Sequence, residues 1–139
     1  MAGYNVRVAD PSEQDAVLGP LMLAFSSDPC MRYALPKASA FVSAFKSFAM
    51  GMGGAAFAHG SAWLADDGAA AALWLPPGVE QDGEAIGAVL AEFGVKDKRD
   101  VLDPVVEQMA HYHPHEPHWY LPLLGVDPAR QGQAWARRS

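Results

Sequence analysis

The sequence predicts an α+β fold built around an antiparallel sheet. Strand-like apolar runs occupy residues 5–9, 61–65, 69–75 and 118–126, and helical spacing fills the stretches between them. Asp66-Asp67-Gly68 joins the middle two runs, and Asp-Gly between strand-like segments is a strong hairpin signal.

Along the chain, Asn5-Val6-Arg7-Val8-Ala9 alternates polar and apolar residues, as a short half-buried strand does. Asp10-Pro11-Ser12-Glu13 then supplies a helix N-cap with proline at the first helical position. Ala16, Val17, Leu21, Ala24 and Phe25 recur near helical spacing and are expected to face a core. Pro20 lacks an amide donor and crowds the preceding turn, so Gly19-Pro20 predicts a kink. Ser26-Ser27-Asp28-Pro29 ends this helix, and residues 31–36 read as a connection.

Phe41, Phe45 and Phe48 lie four and three apart, one face of a second helix, and a stripe of this kind reads as core. Gly51, Gly53 and Gly54 each cost about 1 kcal/mol of helix stability relative to alanine, so fraying is expected there. The hairpin follows, stopped by Pro76-Pro77-Gly78. Helical patterns resume at Ile86, Val89, Leu90 and Phe93, and again at Leu102, Val105, Val106 and Met109. The run 118–126 is a last strand, closed by the turn Asp127-Pro128. No repeat or low-complexity linker divides the 139 residues, which predicts one domain.

Composition narrows the function classes. Half the residues are hydrophobic, and 16 acidic against 10 basic side chains give a formal charge of -6. Nucleic acid is not expected as a partner, because phosphate neutralisation needs a clustered basic face. No apolar stretch approaches the roughly 20 residues of a membrane span, and the first ten residues lack a secretory pattern, so no membrane partner is expected. The single cysteine, Cys30, cannot form an internal disulfide; this fits a reducing cytoplasm and a half-buried packing role.

The chemistry concentrates after residue 118. His118-Trp119-Tyr120-Leu121-Pro122-Leu123-Leu124-Gly125-Val126 runs into Asp127-Pro128-Ala129-Arg130-Gln131-Gly132-Gln133. A strand, a tight turn and a glycine-bearing loop ahead of a helix can aim several backbone N–H groups at one point, where a pyrophosphate is the natural guest. Here the residues resemble the GNAT N-acetyltransferases, whose signature is Gln or Arg, two residues, Gly, one residue, then Gly or Ala. The match runs from Gln131 to Ala136. Asp28-Pro29 with Arg32-Tyr33, Ala72-Leu73-Trp74-Leu75-Pro76-Pro77-Gly78, and His118-Trp119-Tyr120-Leu121 agree with one branch of that family, so the likeness covers nearly the whole chain.

The resemblance implies an acyl-CoA N-acyltransferase (GNAT) fold, incomplete here, with four N-terminal antiparallel strands and flanking helices and the C-terminal strands missing. It implies acetyl-CoA as cosubstrate and acetyl transfer to a primary amine on a small molecule or peptide. Backbone groups of Leu124 and Val126 would pair with the pantetheine arm, and amides of Gln131, Gly132, Gln133, Ala134 and Ala136 would hold the pyrophosphate. Ala134 stands where the family pattern has its first glycine and would crowd that group.

The sequence names no catalytic acid or base. The ending Ala134-Trp135-Ala136-Arg137-Arg138-Ser139 departs from the family, which favours Gly-Leu-Gly-Ser-Ala-Leu-Met there. Loss of one base from a plausible coding of that stretch yields the observed residues and a stop. The expectation is therefore a frameshifted, truncated acetyltransferase, inactive or weakly coenzyme-binding, with an uncovered last strand that invites homodimers.

An alternative is a non-enzymatic binding protein that uses the same half-fold. His111, His113, His115 and His118 can bind zinc or nickel, and Glu116 could join them. Two prolines in this segment favour an extended surface loop instead, and no second cluster has standard zinc spacing. A metal site is not expected. Trp63, Trp74, Trp119, Tyr33 and Tyr120 read as core or substrate-cleft wall.

Overall fold

A computed structural model describes residues 5–66, 68–94 and 96–132, with 96–99 described through their backbone. Strand β1 (Val6–Val8) leads into a 3-10 turn and helix α1 (Gln14–Phe25). Helices α2 (Pro29–Ala34), α3 (Ala38–Gly53) and α4 (Ala55–Ala58) precede the hairpin β2 (Ala62–Ala65) and β3 (Ala70–Leu75). Helices α5 (Gly83–Phe93) and α6 (Lys96–Tyr112) separate the hairpin from β4 (Tyr120–Val126). The four strands form one antiparallel sheet in the order β1-β2-β3-β4. The architecture is α+β with a central antiparallel sheet. Among the described residues no helix is long and apolar enough to cross a membrane.

Local chemistry sets the entry to α1. The Asp10 side chain accepts from Ser12 N at 2.9 Å, and the Glu13 carboxylate accepts from Asp10 N at 3.0 Å, a reciprocal capping box. Arg7 donates to both Glu13 carboxylate oxygens at 2.8 and 2.7 Å, tying β1 to this turn. Those guanidinium bonds, followed by the Asp10 amide, hold the Glu13 carboxyl at a pKa of about 2. The hairpin turn uses left-handed backbone at Asp66 (φ 46°) and at Gly68 (φ 117°). Gly68 supplies the second conformation without steric cost.

One face of the sheet carries the main core. Val17, Leu18 and Leu21 of α1, Phe41 and Phe45 of α3 and Phe57 of α4 pack with Leu64, Leu73, Leu75 and Leu123. The Phe45 ring stacks on Phe25 at 6.2 Å between centroids and meets Phe41 at a tilt, 5.3 Å between centroids. Strand alternation turns Trp63, Ala65, Ala70, Ala72, Leu124 and Val126 to the opposite face. There, Ala65, Ala69 and Ala70 cluster with Val6 and Val126, and among the described residues no helix residue joins them.

Helix α1 runs from Gln14 to Phe25 with Pro20 inside it and buried. Several expectations are corrected. The stretch read as a connection holds α2, because the Asp28 side chain accepts from Met31 N at 2.9 Å and Pro29 fills the first helical position. Helix α3 does not fray at Gly51; it continues to Gly53, and both glycines are buried. A Cβ on Gly51 would lie 2.8 Å from Ile86 Cγ1, and one on Gly53 would lie 2.9 Å from Leu73 Cβ. These glycines let α3 press against α5 and β3, and packing there outweighs a propensity cost of about 1 kcal/mol per residue. Cys30 is exposed, not half-buried.

Candidate functional site

Among the described residues, strand β4 lies at the sheet edge, paired to β3 on one side. Its register breaks between Leu73 and Leu75: Leu73 faces Leu123, but Leu75 faces Tyr120, which leaves an extra residue on β4 at Leu121-Pro122. Pro122 has no N–H to donate to a ladder, and a bulge on an edge strand accommodates that deficit. Reading 118–126 as one regular strand missed this irregularity. Proline inside a strand-like run was the signal that could have found it.

Below the bulge, the hydrogen-bond phase decides which main-chain groups are free for a ligand. Asp127 N donates to Ala69 O at 2.8 Å, in register with the pairs Val126–Ala70, Gly125–Ala71 and Leu124–Ala72. Hydrogen-bonded and non-hydrogen-bonded pairs alternate along an antiparallel ladder. Gly125 therefore faces β3, while the N–H and C=O groups of Leu124 and Val126 point out of the sheet edge. The two residues singled out from sequence share this edge. Their side chains lie on the face opposite the main core, where Leu124 joins Val6, Trp63, Ala70 and Ala72 around a shallow apolar depression.

Gly125 explains how the edge is held. It is buried, and a Cβ there would stand 2.9 Å from Ala24 Cβ and 3.1 Å from Leu21 Cδ2. Helix α1 thus rests directly on the β4 backbone. At the strand's end, the Asp127 carboxylate accepts from Ala129 N at 2.9 Å, and Arg130 N donates to Asp127 O at 2.7 Å. This makes a 3-10 turn over Pro128–Arg130. Gln131 then folds back, its Nε2 donating to Val126 O at 3.2 Å. Gly132 follows at φ 85°, a left-handed conformation suited to glycine.

Of the residues expected around a pyrophosphate, Gln131 and Gly132 are both exposed and sit directly after this turn. Gln133, Ala134 and Ala136 lie outside the described residues. A polar depression beside the turn is lined by Asn5, Asp66, Asp127 and Arg130, with Arg130 Nη2 3.8 Å from Asp66 Oδ2. The two carboxylates give this depression an anionic character.

The histidine segment differs from its expectation. Helix α6 extends to Tyr112, so His111 is helical and the irregular loop begins at His113. The loop brings His113 and His118 together, with their Nε2 atoms 3.1 Å apart. His118 Nδ1 lies 2.6 Å from Glu116 O. The His113 ring also meets Tyr120 edge-on, at 4.9 Å between centroids. His115 and Glu116 are exposed, and among the described residues no group of three or more His, Cys, Asp or Glu side chains converges on one point. Of the aromatic residues, Tyr120 packs partly against the core, while Trp119 is exposed. No protein-family model matches the chain.

Proposed function

We propose that the chain carries the coenzyme-binding front of a GNAT-type acyl-CoA N-acyltransferase fold, whose reaction is acetyl transfer from acetyl-CoA to a primary amine of a small molecule or peptide. The observation that carries the reading is the outward phase of Leu124 and Val126 on an edge strand. An extended ligand with two amide groups, such as a pantetheine arm, can add to such an edge as a further strand. The Asp127-Pro128 turn then leads the chain through Gln131 and Gly132 toward the segment assigned to the pyrophosphate.

Two features make binding weak in this reading. The Gln131 side chain occupies the Val126 carbonyl and has to yield it to the ligand. Ala134 puts a methyl group where the family pattern has glycine. In the reaction the neutral amine nitrogen attacks the thioester carbonyl and gives up one proton, the C–S bond breaks, and the thiolate leaving group takes up a proton in return. A second copy pairing through its own β4 would compete for the same edge.

Titrating the full chain with coenzyme A, followed by amide chemical shifts, tests the proposal. Saturable shifts centred on residues 124–132 are expected. Leu124→Pro deletes one outward N–H without removing a bond to β3, and should weaken binding about fivefold, the worth of one hydrogen bond. Absence of shifts at millimolar coenzyme, or shifts centred on another surface, overturns the reading. A concentration-dependent β4 shift without ligand would identify the second copy as the occupant instead.

A further inference from the structure

We propose that His113 and His118 form a two-histidine site for a divalent cation of the zinc, nickel and copper class. The inference is independent of the coenzyme reading and uses a loop that reading leaves aside. His118 Nδ1 is 2.6 Å from the Glu116 carbonyl oxygen, which can only accept, so Nδ1 carries the hydrogen and donates it. In neutral His118 the lone pair is therefore on Nε2. That atom faces His113 Nε2 at 3.1 Å.

A ring held through one nitrogen by a backbone carbonyl, with the other nitrogen presented, is the usual outer-shell support of a metal-bound histidine. The separation also fits. Metal–nitrogen bonds of about 2.0–2.1 Å place adjacent ligands about 2.9 Å apart at a right angle and about 3.4 Å apart at a tetrahedral angle. The observed 3.1 Å falls between these values.

Without an ion, the His113 Nε2–H donates to the His118 lone pair. When an ion binds, that hydrogen moves to His113 Nδ1 and both Nε2 lone pairs become ligands. The edge-on contact with Tyr120 places the His113 ring against the start of β4, giving the site a rigid base. With two protein ligands, the remaining coordination positions are left to water or a small ligand, so affinity in the micromolar range is expected and not that of a closed structural zinc site. Imidazole donors select the late transition metals over magnesium and calcium.

The test uses the full chain without a histidine tag. Calorimetric titration with zinc chloride should give one ion per chain, and copper(II) electron paramagnetic resonance should show two coordinated nitrogens. His113→Ala and His118→Ala should each weaken zinc at least about tenfold. The double variant H111A/H115A should bind like the parent chain. Circular dichroism confirms that each variant keeps its helix content, and the two-nitrogen signal of the parent stands even if one variant unfolds. No binding at millimolar zinc overturns the proposal. An equal loss in H111A/H115A does so as well, because it would mark diffuse chelation by the whole histidine segment.

Discussion

Helices α3 and α6 each carry an apolar stripe at helical spacing, yet they meet different surroundings. On α3, Phe41 and Phe45 are at most 2 % exposed and pack with α1 and the sheet. On α6, Val105, Val106 and Met109 of the stripe are exposed, as are Val101 and Tyr112 beside it, Met109 by 66 % and Tyr112 by 75 %, and Leu102 is half-buried. Among the described residues, the main neighbour of helix α6 is the short helix α2. Periodicity specifies a helix face; it does not specify what that face meets. The α3 stripe gains its partners from residues at 17–25 and 62–75, far away in sequence, and no local pattern encodes that encounter.

Three substitutions sharpen this contrast. Phe45→Ala removes a buried ring from the centre of the core, and a loss of about 4 kcal/mol in denaturant unfolding is expected. A loss below about 1 kcal/mol would mean that the α3 stripe is no better packed than that of α6. Gly53→Val probes the close approach of α3 to β3. Its Cβ meets Leu73 Cβ at 2.9 Å and Pro122 Cγ at 3.2 Å, atoms fixed to the backbone or to a ring. Overpacking should cost about 2 kcal/mol, more than the few tenths that valine gains over glycine in helix propensity. Net stabilisation at this position would show that the contact is looser than described. Val106→Ser, on the exposed stripe, should change stability by less than about 0.5 kcal/mol. A larger loss in dilute solution would mean that something covers α6.

Legibility followed the range of the interactions. The capping box at Asp10 and Glu13 and the hairpin turn at Asp66 to Gly68 depend on residues within a few positions, and both were readable. The short helix α2 was overlooked although its signal, Asp28 capping Met31 with Pro29 between them, was equally local. Gly51 and Gly53 misled because glycine's intrinsic cost was visible and its packing gain was not. At the candidate site, Leu124 and Val126 were named from a resemblance, but their shared outward phase follows from the β3 register and the hydrogen bond from Asp127 N to Ala69 O. The histidine segment was read as a surface loop, and the meeting of His113 with His118 depends on how the chain turns between α6 and β4.

By itself, the sequence determined the mixed class of the fold, the order of most elements, the caps and the turn between β2 and β3. Each rests on propensity, periodicity or hydrogen bonds between near neighbours. Only the tertiary structure decided which apolar stripe is covered, which glycines are pressed against neighbours, and which main-chain groups of β4 point outward. Those outcomes depend on contacts between distant segments, where a shift of one residue in register would reverse the result.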